Sequence, residues 1–389
     1  MKKRYSVILL CLLFLIINAE AQTKKIITGA ERTEVYLPWI KDKNIAVVVN
    51  HTSMIGKTHI VDSLLNIGIK IKTIFSPEHG FKGKADAGFL VNNNTDEDTG
   101  IKIISLYSSH KKPTKDDLKD ISAVIFDIQD VGVRFYTYIS TMTYVMEACA
   151  ENNILFIILD RPNPNGFYVD GPVLDKKFKS FVGLHPVPVV YGMTIAEYAL
   201  MVNNEGWLKN NVKCKIKYVK LLNYTHSSLY QLPVKPSPNL PNMKSVYLYP
   251  SLCFFEGTII SVGRGTKTPF QIIGHPDYKD KNFSFTPVSI PGASKYPKYE
   301  NIKCYGLDLS NSDSMILKSK KINLSWLINM YNNFKYDDFF NNYFDKLAGN
   351  SNLRHQIINS SSEKAIRKSW KKDIKKFMKI RKKYLLYED

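Results

Sequence analysis

From residue 45 onward the chain alternates short β-branched apolar runs with stretches whose apolar positions recur every three or four residues. That alternation predicts parallel strands joined by crossover helices, an α/β arrangement. The runs fall at 45–49, 71–75, 102–106, 123–127 and 155–159. Between them, Ile60, Leu64, Leu65 and Ile67 mark one helix, and Ile139, Met142, Val145, Met146 and Cys149 mark the core-facing stripe of another. A helix from Thr194 through Trp207 and a strand near 214–219 complete this first unit. Pro233, Pro236, Pro238 and Pro241 then interrupt any regular element and set a boundary near residue 231.

The remainder mixes Tyr- and Phe-rich short strands with a helix around 324–331 and a long final helix. Ser360 and Glu363 are spaced as a capping box for that last helix. Its positions Ile366, Trp370, Ile374 and Phe377 are expected to face a core. Eleven Lys and Arg between Lys364 and Lys383 occupy the rest, either as a solvated basic face or as a surface that docks on an anionic wall or membrane.

Composition adds a compartment. Lys2, Lys3 and Arg4 precede an apolar run over 5–17, followed by Ala19-Glu20-Ala21, so residues 1–21 read as a signal peptide and the protein as exported, periplasmic or secreted. That run is too short to cross a bilayer, and no later stretch reaches the roughly 20 apolar residues a spanning helix needs. No stable membrane insertion is expected. The residues left exceed the roughly 250–300 at which single cores stop growing, which gives two domains, 22–231 and 232–389. Cys149, Cys214, Cys253 and Cys304 are widely spaced without a C-x-x-C pair, against both a zinc cage and a dense disulfide framework. With 54 basic and 35 acidic residues, a net charge of +19 favours anionic partners. For an exported protein these are cell-wall polymers or membrane surfaces rather than nucleic acid.

The chemistry concentrates where an open α/β sheet binds ligands, beyond the carboxyl ends of its strands. After the first strand come Asn50-His51-Thr52-Ser53, and after the second Ser76-Pro77-Glu78-His79-Gly80. Residues 127–136 follow the fourth, carrying Asp127, Gln129, Asp130, Arg134 and Tyr136, and Asp160 to Gly166 follow the fifth. Glu78 has the setting of a general acid: a strand end, a backbone stiffened by Pro77, and Gly80 and Gly83 admitting close approach. His51 and His79 would contact substrate, orient Glu78 or bind a metal with Asp127, although no H-E-x-x-H or His-x-His spacing supports a metal. Asp127 and Asp130, bracketing Gln129, would either form a salt-bridged scaffold with Arg134 or hold sugar hydroxyls and a carboxylate. Asp160 would pair with Arg161 or contact substrate, and Asn163 and Asn165 suit polar ligand groups. The second unit adds Asn239 within a Pro-rich turn, then Glu256 and Arg264 among small residues. No Walker motif, no G-x-G-x-x-G and no G-x-S-x-G elbow is present.

Taken together, Phe75 to Gly80, Asp127 to Tyr136, Leu159 to Gly166, Ser180-Phe181-Val182-Gly183-Leu184, Ser237 to Pro241, Phe255 to Thr266 and the terminal Lys383-Tyr384-Leu385-Leu386-Tyr387 resemble the exo-β-N-acetylmuramidase family typified by NamZ. The resemblance spans nearly all of the chain beyond residue 21. It implies a Rossmann-like parallel sheet domain with a smaller C-terminal α/β (α+β) domain and a cleft between them. The implied activity is removal of N-acetylmuramic acid from non-reducing ends of peptidoglycan fragments, with no cofactor. Glu78 becomes the leading catalytic residue through the Ser-Pro-Glu-His-Gly motif. Glu256 or Asp127 would be the second carboxylate, unless the substrate's own acetamido oxygen serves instead. The lactyl carboxylate of the sugar calls for a cation such as Arg134 or Arg264. Many relatives carry His where Tyr191 stands and Gly where Ala196 stands, so a titrating role at that position is in question here, whereas sugar contact is open to Tyr. The rival readings are a cell-wall saccharide-binding protein without turnover and a metal-dependent hydrolase.

Overall fold

A computed structural model describes residues 24–78, 80–81, 94–334 and 336–389, so the expected signal peptide and His79 lie outside the described residues. The main sheet has seven strands: β1 (Asn44–Val49), β2 (Lys70–Ser76), β3 (Asn94–Thr95), β4 (Lys102–Ser105), β5 (Ala123–Asp127), β6 (Leu155–Leu159) and β7 (Ile216–Val219). Their order is β3-β4-β2-β1-β5-β6-β7, parallel throughout except for β3. Without that short edge strand this is the order of a Rossmann sheet, and the direction of winding reverses between β1 and β5.

The reason these segments are strands lies in their two-sided burial. Ala46 and Val48 of β1 join one apolar layer, and Ile45, Val47 and Val49 join the opposite one. A parallel strand covered on both faces reads as an unbroken apolar run. One layer is closed by α1 (Thr33–Ile40) and α2 (Ile60–Asn66), the other by α3 (Tyr138–Glu151) and α4 (Ile195–Asn204). The five stripe residues of α3 are all buried, Cys149 among them, and the four cysteines at 149, 214, 253 and 304 are buried free thiols. Ile67, assigned to the first helix by its periodicity, instead follows α2 and is 51% exposed.

The C-terminal part opens with α5 (Met243–Leu252). An antiparallel sheet follows, β8 (Ile272–His275), β9 (Ser284–Phe285) and β10 (Cys304–Asp308), ordered β8-β10-β9. The helices α6 (Asp313–Ser319), α7 (Ser325–Phe334), α8 (Phe344–Ala348), α9 (Asn352–Ile358) and α10 (Glu363–Arg381) complete it. One apolar cluster runs without a break from Ala46 and Phe126 in the sheet, through Phe254 and Phe344, to Trp370 and Phe377 in α10. As expected, Ile366, Trp370 and Phe377 are buried and Ile374 partly so. The capping expectation needs correction. Ser362, not Ser360, caps α10 by accepting from the Ala365 amide, because Ser360 is engaged in closing α9 with its own amide on Ile357 and a φ of 54°.

Candidate active site

At the reversal of winding, the loops after β1 and β5 are sewn together. The Asn50 side chain accepts from Thr52, 2.9 Å to its amide and 2.6 Å to its hydroxyl, and donates to the Tyr138 hydroxyl at 2.9 Å. The Ser53 hydroxyl donates to the Asp127 carbonyl, and the Gln129 amide to the Thr52 hydroxyl at 3.1 Å. Just beyond, Gly132 turns with φ 75°, where a Cβ would lie 2.0 Å from the Asn163 side-chain oxygen, so only glycine fits.

Above this seam opens a cleft of ≈ 770 Å³ along the carboxyl edge of the sheet. Glu78 enters it directly after β2. Its turn is closed by the Gly80 amide on the Pro77 carbonyl at 3.0 Å, with Gly80 at φ 73°. The half-buried Glu78 carboxylate accepts from the Thr137 hydroxyl at 2.8 Å and lies beside Tyr107, whose hydroxyl is driven upward in pKa by burial and then by the Glu78 charge. A hydroxyl can donate to a carboxylate and accept from a carboxylic acid, so both protonation states of Glu78 keep Thr137 as a partner. That is what an acid that gives up and regains a proton needs.

The opposite wall belongs to the C-terminal part. Arg264 donates through Nε to Glu256 at 2.5 Å, and its guanidinium lies 5.0 Å from the Phe270 ring centre. Tyr343 lines the cleft between the two acids: its hydroxyl is driven upward in pKa by burial first, then by the charges of Glu256 and Glu78. Asn239, which donates to the Ala293 carbonyl at 2.7 Å, and Tyr136, which donates to the Pro236 carbonyl at 2.7 Å, complete the floor.

Of the residues singled out in the sequence, the cleft therefore gathers Glu78, Tyr136, Asn239, Glu256 and Arg264. The others stand elsewhere. Asp127 is fully buried in a two-pronged pair with Arg161, at 2.6 and 2.8 Å, which leaves its carboxylate no face toward the cleft. Arg161 thus pairs with Asp127 rather than with its neighbour Asp160. Arg134 is fully buried with no acid beside it, and its guanidinium donates to the carbonyls of Pro172, Val187, Leu347 and Ala348. Burial pulls its pKa down to about 9. Among the two arginines named for the lactyl group, then, Arg134 is a clamp on backbone and only Arg264 reaches the cleft.

Asp130 accepts from the Tyr191 hydroxyl at 2.5 Å and the Gly132 amide at 2.7 Å, and burial pushes its pKa up to about 6. Asp160 is bound by the Tyr387 hydroxyl at 2.7 Å and the Ala196 amide at 3.0 Å, and burial lifts it to about 7. Gln129 donates to the carbonyls of Asp130 and Pro162, Asn163 to Met193, and Asn165 to Val131 and Val246. His51 meets the Lys235 carbonyl at 2.9 Å. These side chains hold the loops that carry the site. Among the described residues no three His, Cys, Asp or Glu side chains cluster as a metal centre requires.

Sequence reasoning passed over Tyr107, Lys111, Thr137, Tyr343 and Lys346, all of which line the cleft. Tyr107 lies two residues past β4, where the strand-end rule applied to the third run finds it, and Thr137 directly follows Tyr136. Nothing local marks Tyr343 or Lys346, which arrive from the other end of the chain.

A Rossmann sheet with an acid at a strand end and a second acid lining the same polar, aromatic cleft suits a glycosidase, and likeness to known proteins places the chain in that class. The chain belongs to the exo-β-N-acetylmuramidase NamZ family: residues 45–244 match the family's N-terminal model and residues 247–387 its C-terminal model. The peptidoglycan β-N-acetylmuramidase NamZ of Bacillus subtilis is 38% identical over 95% of this chain and 93% of its own length. Two crystal structures of DUF1343 family proteins from Bacteroides fragilis share the fold. One is 48% identical with a TM-score of 0.88, covering 94% of this chain and all of that one; the other is 27% identical with a TM-score of 0.78, covering 93% and 99%.

Proposed function

We propose that this protein cleaves N-acetylmuramic acid from the non-reducing ends of peptidoglycan fragments, with Glu78 as the general acid. The observation that carries the assignment is the Glu78 carboxylate in the cleft, held by the Thr137 hydroxyl and set beside Tyr107. In this reaction Glu78 gives its proton to the glycosidic oxygen as the bond to C1 breaks, water adds its hydroxyl to C1, and the proton that water releases restores the Glu78 carboxylic acid. Positive charge develops on the ring in between, and an acid on the facing wall stabilises it. Glu256 occupies that wall, and its pairing with Arg264 fixes its direction. The substrate's acetamido oxygen is the other candidate for that role.

Export through residues 1–21 would place the enzyme outside the cytoplasm, with its substrate. Among the described residues no helix is long and apolar enough to cross a membrane. The protein is expected to release the aglycone from a chromogenic N-acetyl-β-muramide, and Glu78→Gln to lower kcat by about 10²–10⁴-fold while saccharide binding persists. Saccharide binding by the wild type without release would replace this reading with a binding module.

A further inference from the structure

We propose that Lys111 is the ligand for the lactyl carboxylate, and hence the residue that makes the cleft select a muramic over a glucosamine sugar; this deepens the glycosidase reading and rests on it. N-acetylmuramic acid differs from N-acetylglucosamine by the lactyl ether on O3, an anion at neutral pH. Such a group gives up hydration on entering a cleft and needs a cation whose charge is not already committed. Arg134 has no face to the cleft, and Arg264 is spent on Glu256. Lys298 is turned away, donating to the carbonyls of Thr258 and Ile260.

Lys111 is different. It is half-buried in the cleft lining, and its ammonium has no acidic partner among the described residues. Its Nζ stands 5.1 Å from the centre of the Phe181 ring, a cation–π contact that restrains a flexible side chain without neutralising it. Phe181 is itself fixed, stacked on Tyr144 at 6.2 Å and anchored by the Ser140 hydroxyl on its carbonyl at 2.7 Å.

Position completes the case. Tyr107, beside Glu78 in the cleft, meets the Phe181 ring edge-on at 6.1 Å. One aromatic wall thus runs from the acid through Tyr107 and Phe181 to the ammonium. In a pyranose the oxygens on C1 and C3 project from either side of C2. A sugar that offers its glycosidic oxygen to Glu78 can therefore lay its O3 substituent along this wall toward Lys111. Lys346, exposed on the same cleft, adds positive potential at the rim.

The test compares a chromogenic N-acetyl-β-muramide with its lactyl methyl ester, and free N-acetylmuramic acid with N-acetylglucosamine in calorimetric titrations. For Lys111→Gln the acid-over-ester ratio of kcat/KM is expected to fall on the order of 10–100-fold, the factor a lost charge-assisted hydrogen bond implies. Affinity for N-acetylmuramic acid falls with it, and Lys111→Arg restores most of both. Equal losses on acid and ester would make Lys111 a structural residue, and an unchanged ratio would put the cation elsewhere; either overturns the proposal. If the wild type cleaves neither substrate, the glycosidase reading fails, while the titrations still decide Lys111: N-acetylmuramic acid bound equally by wild type and Lys111→Gln refutes it.

Discussion

At the scale of single residues, identical side chains divide into two populations by which way they face. Arg134 and Arg264 are both cationic and both sit near glycines, yet one clamps four carbonyls in the interior and the other lines the cleft. Replacing Arg134 by Ala would strip its donors from all four carbonyls; Val187 keeps the Leu174 amide at 3.1 Å, and each of the others becomes a buried acceptor that costs about 1–3 kcal/mol unpaired. Solvent entry and relaxation recover part of that, so Arg134→Ala is expected to destabilise the fold by about 3–5 kcal/mol in urea unfolding. Arg134→Lys should not rescue it, because an ammonium lacks the planar fork that reaches both pairs of carbonyls. The polar runs after β1, β5 and β6 were visible as unusual. Whether Asp127, Asp130 or Asn163 faced ligand or scaffold was not, since a hydrogen-bonding side chain serves either purpose with the same atoms.

At the scale of elements, the strands were the most legible part. All five apolar runs became strands with ends displaced by no more than one residue, from 45–49 against Asn44–Val49 to 155–159 against Leu155–Leu159. Burial on both faces leaves those segments no polar position, so the local pattern and the tertiary environment agree. Helix ends were less legible. The cap of α10 was displaced from Ser362 to Ser360, because three serines in a row offer the same hydroxyl and only the chain's path out of α9 chooses among them. Ser362→Ala is expected to cost about 1 kcal/mol of stability and Ser360→Ala much less, a difference readable in paired urea titrations. The second part reads as Tyr- and Phe-rich short strands with two helices, a reading that leaves α5, α6, α8 and α9 unassigned.

At the scale of the whole molecule, the last residues return to the first sheet. Tyr387 donates to Asp160, the Leu386 amide to Glu197 at 2.7 Å, and Asp389 pairs with Arg381 at 2.6 Å, while His226 meets the Glu388 carbonyl. Arg381 in turn donates to the Gly192 carbonyl. This tail latches α10 onto the Rossmann sheet. Ending the chain at Tyr384 would leave Asp160 and Glu197 buried without these donors. The expected result is a loss of about 3–6 kcal/mol in unfolding free energy, with turnover falling at temperatures where the full chain is stable.

The sequence by itself determined the parallel α/β sheet, the edge at which the cleft opens and one acid, Glu78, that lines it. Unbroken apolar runs, strand-end loops and the run Ser76-Pro77-Glu78 are all written within short stretches of chain. Only the tertiary structure decided which polar residues line the cleft. Tyr107 reaches Glu78 from the next strand along the sheet, Tyr343 and the Glu256–Arg264 pair come from beyond residue 250, and Asp127 turns inward to Arg161. The orientation of a side chain at a strand end depends on what packs over it, and in this protein that cover arrives from a distant part of the chain.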